Sequence, residues 1–276
     1  MSQVVAKVKS THSLENDIRS AVGILGGFER LLEKNSKVVI KPNLNSGDPL
    51  PASSDPLFIR ALGKVLLDYG VDEIRIVESS MFMRDTTEEA EKNGLLKVVD
   101  DIDAKVEFLD GGRWIDTEIP LGRYLRNAQL GQAVLTSDPL ITVPCLKTHK
   151  FAKFTGAMKL YMGYVRGRDR LRMHLRHLEE KIADLASYFK PRLILMDARK
   201  AFVTGGPVEG KVENPNVILA GTDSVAIDAV GVDILKSYNE DNKLDAPTWE
   251  LPQLTHAAKL GFGATGPQDI ELVAAP

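Results

Sequence analysis

Short apolar runs that end in polar residues alternate along the chain with stretches in which apolar residues recur at helical spacing. Runs of the first kind predict strands at residues 4–8, 37–40, 73–77, 140–143, 193–196 and 217–220. Helical spacing is clear between residues 14 and 25, and the Asp55-Pro56 pair is typical of a helix start. This alternation predicts an α/β protein with a three-layer, mostly parallel Rossmann-like sheet and helices on both faces.

The middle of the chain is less regular, with strands predicted at residues 105–109 and 114–119 that we interpret as a pair. No stretch resembles a linker, so the 276 residues are predicted to form a single α/β domain over 1–276, with room for a small inserted lobe around 80–130. The sequence shows no membrane-spanning run of about 20 apolar residues and no apolar signal-peptide core. We therefore expect a cytoplasmic protein without a membrane partner.

Polar side chains follow the predicted strands at one edge of the sheet. Ligands of parallel α/β sheets bind beyond the carboxyl ends of the strands. The residues that follow the strands there are Lys41, Asn43, Glu78, Ser79, Lys147, Thr148, His149, Asp197 and Asp223. This convergence predicts one shared site, and the alternative is that these are ordinary solvated loop residues.

Positive charge is concentrated in residues 147–177, the basic window. It holds nine Lys or Arg and one acid, Asp169, so its net charge is +8, whereas the whole chain carries −3. Such an asymmetry indicates an anionic ligand. Nucleic acid is the weaker alternative, because the whole chain is acidic and the window has few aromatic residues.

The first residues of the basic window are Lys147, Thr148 and His149. Lysine supplies a point charge, threonine a donor, and histidine a proton carrier near neutral pH. Lys159 follows Thr155 and two small residues, which would let backbone N–H groups approach an anion. Lys159 covering an apolar surface with its stem is the alternative.

Three further features keep alternatives open. His149 and His174 could contribute to a divalent metal site. The arginines between residues 166 and 172 form either a lid over an anion or a solvated basic loop. Gly205 and Gly206 begin a stretch that nearly spells a phosphate-binding loop, but Val212 replaces its magnesium-binding Ser or Thr, so we interpret it as a tight turn beside the site.

Several motifs occur in a fixed order: Lys41-Pro42-Asn43, Lys147-Thr148-His149, Thr155-Gly156-Ala157-Met158-Lys159, Gly205-Gly206-Pro207 and Gly221-Thr222-Asp223. In this order they resemble the domain-of-unknown-function 362 family, a widespread prokaryotic group often labelled iron–sulfur protein. Many of its members carry ferredoxin modules. The resemblance is to the version without one, because Cys145 is the single cysteine and cannot hold a self-contained cluster. The resemblance leaves the reaction open.

The leading hypothesis is an enzyme that isomerises, epimerises or transfers a group on a small phosphate- or carboxylate-bearing substrate. The anion would be held by three lysines, Lys41, Lys147 and Lys159. His149 would transfer a proton, oriented by Asp197 or Glu78. The alternative is a metal- or iron–sulfur-associated redox or maturation protein, with any cluster shared with a partner or second subunit. Substrate identity, metal occupancy and a homo-oligomeric state stay open.

Overall fold

A mixed sheet runs through the protein, which a computed structural model describes over residues 2–275. The strands are β1 (Gln3–Lys9), β2 (Lys37–Lys41), β3 (Glu73–Glu78), β4 (Lys105–Phe108), β5 (Trp114–Glu118), β6 (Asn127–Gly131), β7 (Leu140–Thr142), β8 (Cys145–His149), β9 (Lys153–Thr155), β10 (Leu193–Phe202), β11 (Val212–Glu213), β12 (Val217–Gly221) and β13 (Ile270–Ala275). The predicted strands thus all exist, although several extend beyond their predicted bounds.

The main sheet has the strand order β13-β1-β12-β10-β7-β2-β3-β4, and β8, β9 and β11 attach through β10. The neighbours on the β4 side are parallel, whereas β12 runs antiparallel to both β1 and β10. The predicted mostly parallel α/β sheet is confirmed. The predicted pairing of 105–109 with 114–119 is wrong, because β4 joins β3 and β5 pairs with β6 in a separate two-stranded sheet.

Helices cover both faces of the sheet. They are α1 (Leu14–Ile24), α2 (Phe28–Leu31), α3 (Pro56–Tyr69), α4 (Thr86–Asn93), α5 (Leu95–Val99), α6 (Ala157–Leu160), α7 (Gly167–Met173), α8 (Leu178–Ala186), α9 (Ser224–Lys236) and α10 (Pro252–Leu260). As predicted, Asp55 caps α3 by accepting the N–H of Leu57. Gly70 ends α3 in a left-handed conformation. Within residues 2–275, no helix has the length and apolar character needed to cross a membrane.

Two hydrophobic cores lie on opposite faces of the sheet, which gives the three layers. One core includes Ile18 of α1 and Phe58 of α3, and the other includes Ile182 of α8, Ile227 of α9 and Leu254 of α10. Burying each such side chain contributes roughly 1.5–3 kcal/mol. The two cores hold the strand ends in fixed positions, and the site depends on that rigidity.

Residues 80–131 add β4 to the edge of the main sheet and then form the β5–β6 ribbon. Buried Ile119, Ala128 and Leu130 of this segment belong to the same core as α8. A single domain with an inserted lobe in this region stays a prediction.

Candidate functional site

A cavity of about 470 Å³ lies beyond the carboxyl ends of β2 and β3 and beside β8. It brings together nine of the residues predicted from the sequence: Lys41, Asn43, Glu78, Ser79, Lys147, His149, Thr155, Lys159 and His174. These nine come from segments up to 133 positions apart in the chain, between Lys41 and His174, and six of them follow predicted strands: Lys41, Asn43, Glu78, Ser79, Lys147 and His149.

Asp223 and Asp197 lie outside this cavity, and strand geometry explains both corrections. β12 is antiparallel, so its carboxyl end reaches the opposite edge of the sheet, where Asp223 caps α9 through the N–H groups of Val225 and Ala226. Asp197 lies inside the ten-residue strand β10 instead of at its end, and both its carboxylate oxygens accept bonds from Arg199. Asp197 therefore does not orient His149.

Thr148, Gly205 and Gly206 also lie outside the lining. Side chains alternate along β8, so Lys147 and His149 face the cavity while the Thr148 hydroxyl points away and donates to the Phe202 carbonyl at 3.1 Å. Gly206 adopts a φ of 71° and packs on the Thr148 carbonyl, leaving no room for a Cβ. The glycine turn thus acts indirectly, by bringing Pro207 to the cavity.

Lys41 and Glu78 form a buried ion pair on the cavity floor. Glu78 also accepts the N–H groups of Ser79 at 2.7 Å and Leu44 at 3.2 Å. Burial lowers the pKa of Lys41 and raises the pKa of Glu78, while these hydrogen bonds favour the carboxylate. Because each partner is already satisfied by the other, the pair fixes the ends of β2 and β3 and is not free to orient His149.

Lys147 has all three of its N–H bonds engaged. Its ammonium donates to the Asn43 side-chain oxygen at 3.1 Å and to the carbonyls of Pro51 and Ala52 at 2.9 and 2.5 Å. Burial lowers the pKa of Lys147 to about 8. The predicted anion-holding and catalytic role is therefore corrected: Lys147 ties the loop after β2 to β8.

Lys159 lines the same cavity but, unlike Lys147, has a free ammonium within the described chain. Its ammonium has no hydrogen-bond or salt-bridge partner among residues 2–275, and burial, reinforced by the charges of Lys147 and Arg170, lowers its pKa to about 7. It projects from α6, whose first N–H groups at Ala157 and Met158 donate to Asp228 at 2.5 and 3.0 Å. Lys159 is thus a positioned amine that carries its proton only part of the time at neutral pH.

His149 is neutral and its tautomer is set by the backbone. Its Nδ1 accepts the N–H groups of Phe151 and Ala152, both at 3.1 Å, so the ring proton resides on Nε2. Burial, with the charge of Lys159 next in size, lowers the pKa of His149 far below its usual range. In this tautomer His149 offers the cavity an N–H donor instead of a lone pair.

His174 has the complementary tautomer. Its Nδ1 lies 2.7 Å from the Arg170 carbonyl, which can only accept, so Nε2 keeps a free lone pair. Burial lowers the pKa of His174. Both histidines line the cavity, but no cluster of three or more His, Cys, Asp or Glu suited to a metal occurs among residues 2–275. A metal at His149 and His174 stays a prediction that rests on two nitrogens, one of them protonated.

The arginine segment is a helix, α7, and only one of its arginines lines the cavity. Arg170 donates to the Ser80 carbonyl at 2.7 Å and to the Ser79 hydroxyl at 3.1 Å, and its Nε is buried without a partner in the described chain. Arg168 and Arg172 are exposed beside Asp169. The segment is therefore neither wholly a lid nor wholly a solvated loop.

Cys145 is fully buried beside Ser54, and burial raises the pKa of its thiol to about 12. A thiol in this state does not reach a surface where a second subunit could share a cluster. The geometry thus gives no support to the iron–sulfur alternative through Cys145.

Sequence reasoning missed three contributors to the site. Arg170 was one of several equivalent arginines, and only its fold contacts distinguish it. Asp228, whose two carboxylate oxygens hold α6, gave a weak signal as an acid inside an apolar helix pattern. The Met81-Phe82-Met83 run was detectable, because three large apolar residues directly follow a strand-end serine pair without belonging to a helix.

Comparisons with known proteins agree with this architecture. The chain is 25% identical over 267 residues to a thylakoid-associated protein of Synechocystis sp., covering 92% of this chain and 77% of that protein. A solved protein of Thermotoga maritima matches with a TM-score of 0.51 and 12% identity, covering 81% of this chain and 57% of that one. The lactate racemase apoprotein of Thermoanaerobacterium thermosaccharolyticum matches with a TM-score of 0.54 and 15% identity, covering 84% and 56%.

This chain spans a little over half the length of both solved proteins, and at these identities the likeness shows the α/β fold alone. The family comparison is more specific, because it matches residues 38–233, a segment that contains all nine cavity residues named above. The chain belongs to the family described as Domain of unknown function (DUF362).

Proposed function

We propose that this protein is an enzyme that transfers a proton on a small carboxylate- or phosphate-bearing substrate held in the 470 Å³ cavity. The observation that carries the proposal is Lys159: an unpartnered amine, with a pKa of about 7, that shares the cavity with an N–H donor and a free imidazole lone pair. A group that exchanges its proton near neutral pH is what general acid–base catalysis requires.

Four polar groups of the cavity would have distinct roles. Arg170 keeps N–H bonds beyond those to Ser79 and Ser80, and together with the local positive charge it would attract the anionic head of the substrate. His149, as a neutral donor, would polarise a substrate oxygen. Neutral Lys159 would remove a proton from the adjacent carbon, and His174, after taking a solvent proton on its Nε2 lone pair, would return one.

This assignment favours isomerisation or epimerisation over group transfer, because both reactions can proceed by proton movement alone. One of the fold neighbours is a lactate racemase, whose name gives a small hydroxy acid as its substrate. The fold likeness does not carry that activity to this chain. It does make 2-hydroxy acids a rational first substrate class to examine.

The test is proton exchange with solvent. Small 2-hydroxy acids, 2-oxo acids and sugar phosphates would be incubated with the protein in D₂O, and exchange of the C–H next to the acid group followed by NMR. We expect exchange for at least one compound, reduced about a hundredfold or more in Lys159→Met. The control is Lys150→Met, which removes an exposed lysine of the same basic window.

If no compound exchanges with the wild type, or if Lys159→Met and Lys150→Met exchange at the wild-type rate, Lys159 is not the proton carrier and the proposal fails.

A further inference from the structure

The mouth of the cavity is lined by large apolar side chains that the fold does not cover. Met83 is 89% exposed, Phe151 70%, Leu171 50% and Phe82 37%. These four are among eleven exposed large hydrophobic residues in the described chain, and all four line this one cavity. We call them the apolar mouth. Exposed apolar groups gathered around a concave opening are typical of a ligand site.

The apolar mouth is assembled from separate parts of the chain. Phe82 and Met83 follow β3, Phe151 lies in the turn after β8, and Leu171 lies on α7. Phe82 is fixed against the first turn of α7, since a Cβ on Gly167 would lie 2.6 Å from its ring. Convergence of segments nearly 90 positions apart is not expected from exposed side chains without a shared role.

Polar groups lie immediately beside this apolar surface. The Phe151 ring meets the His149 ring edge-on at a centroid distance of 6.1 Å and the His174 ring at 6.3 Å. Phe151 therefore lies next to both histidines. The volume of about 470 Å³ falls within the roughly 300–1,000 Å³ of pockets that hold drug-sized ligands, which exceeds the need of an acid group alone.

We propose that the ligand of this cavity is amphipathic, an acid group joined to an apolar body of several carbons that lies against Phe151 and Leu171. This inference rests on the proposed function for the acid group and adds the apolar body. A small molecule fits better than a flat partner surface, because the apolar residues line a concavity that contains Lys159, His149 and Arg170.

The test is a chain-length series. Straight-chain 2-hydroxy acids of three to eight carbons would be titrated into the wild type by calorimetry. Each added methylene that becomes buried should tighten binding roughly fourfold, from its transfer free energy. In Phe151→Ala and Leu171→Ala we expect this gain per methylene to shrink at least twofold.

Leu175→Ala is the matched control, because Leu175 is 78% exposed in the same basic window but does not line the cavity. It should keep the full chain-length dependence. Equal affinity for all lengths, with D₂O exchange intact, would overturn the apolar body and leave the proposed function standing. Absence of both binding and exchange for every acid would overturn both.

A third outcome assigns the apolar mouth elsewhere. If the chain-length series is flat and the protein sediments with vesicles of anionic phospholipid, in a way that Phe151→Ala abolishes, the apolar mouth is a membrane contact. That result also overturns the amphipathic small ligand.

Discussion

Lys147 and Lys159 line the same cavity, belong to the same basic window, and differ in nearly every property that determines function. The ammonium of Lys147 donates to three oxygens, whereas that of Lys159 has no partner among residues 2–275. A buried ammonium with three acceptors is part of the structure, because removing it strands those acceptors. Lys159 has no acceptor to strand in the described chain, so its ammonium is available to a ligand. The comparison teaches that lining a site and being available in it are separate properties.

The two lysines are also held differently. Lys147 lies in β8, and its partners Pro51 and Ala52 belong to the loop after β2. Lys159 lies on the four-residue helix α6, whose position depends on Asp228. The first lysine thus joins two parts of the cavity wall, and the second is presented to the cavity by an anchor outside it.

The largest expected effect is on stability. Lys147→Met leaves the carbonyls of Pro51 and Ala52 and the Asn43 oxygen buried without a donor, so we expect a loss of about 3–5 kcal/mol in the free energy of unfolding. Lys159→Met removes an unpartnered charge and strands no acceptor among the described residues, so we expect that free energy to stay the same or to rise. Urea denaturation of both variants measures the difference.

The two variants are matched, since each replaces a lysine of the same cavity by a side chain of similar length. Equal destabilisation by both would show that Lys159 has a structural partner as strong as those of Lys147, and would contradict the difference between the two lysines.

The sequence could predict which strand ends gather around one cavity, but it could not predict which side chains there are free to contact a ligand. Strand ends at Lys41 and Glu78, and the motif around Lys159, predicted one cavity because carboxyl ends of parallel strands share an edge. The carbonyl acceptors of Lys147 lie about 95 positions away in a loop. No local sequence pattern indicates that the carbonyls of Pro51 and Ala52 point towards Lys147. Lys147 and Lys159 therefore looked equivalent in the sequence.

The direction of β12 was equally hidden. An apolar run predicts a buried strand whether the strand is parallel or antiparallel, because both have the same side-chain period. Asp223 follows such a run and was placed at the wrong edge for that reason. Asp197 was predicted to follow its strand, but β10 continues through it to Phe202. The apolar run is interrupted by Asp197 and Arg199, which pair with each other within the strand.

A smaller effect tests how Lys159 is presented. In Asp228→Asn one of the two N–H groups of α6 faces an amide NH₂ instead of an oxygen, so we expect a loss of about 1–2 kcal/mol in the free energy of unfolding. Because α6 carries Lys159, the rate of D₂O exchange should fall as well.

Asp223→Asn is the control for that variant. Asp223 accepts backbone N–H groups at the start of α9 in the same way but lies outside the cavity. It should cost similar stability and leave exchange unchanged. If both aspartate variants slow exchange equally, Asp228 has no special part in positioning Lys159.

Lys159 should also give the stability of the protein a pH dependence. Its pKa is about 7 in the folded protein, against 10.5 as the ordinary value. Below pH 7 it is charged in both states and adds no slope. Between pH 7 and 10.5 the unfolded chain keeps the proton that the folded protein has lost, so the unfolded state binds more protons and stability rises with pH. The cost of burying the charged amine is thus present at pH 7 and relieved towards pH 10.5.

Urea denaturation at pH 7, 8, 9 and 10 should show the free energy of unfolding of the wild type rising relative to that of Lys159→Met as pH rises. The free energy of unfolding of Lys150→Met should change with pH as that of the wild type does. A difference in the free energy of unfolding between wild type and Lys159→Met that stays constant with pH would mean that Lys159 keeps its proton in the folded protein. Lys159 would then be a permanently charged lysine at neutral pH and not a proton carrier.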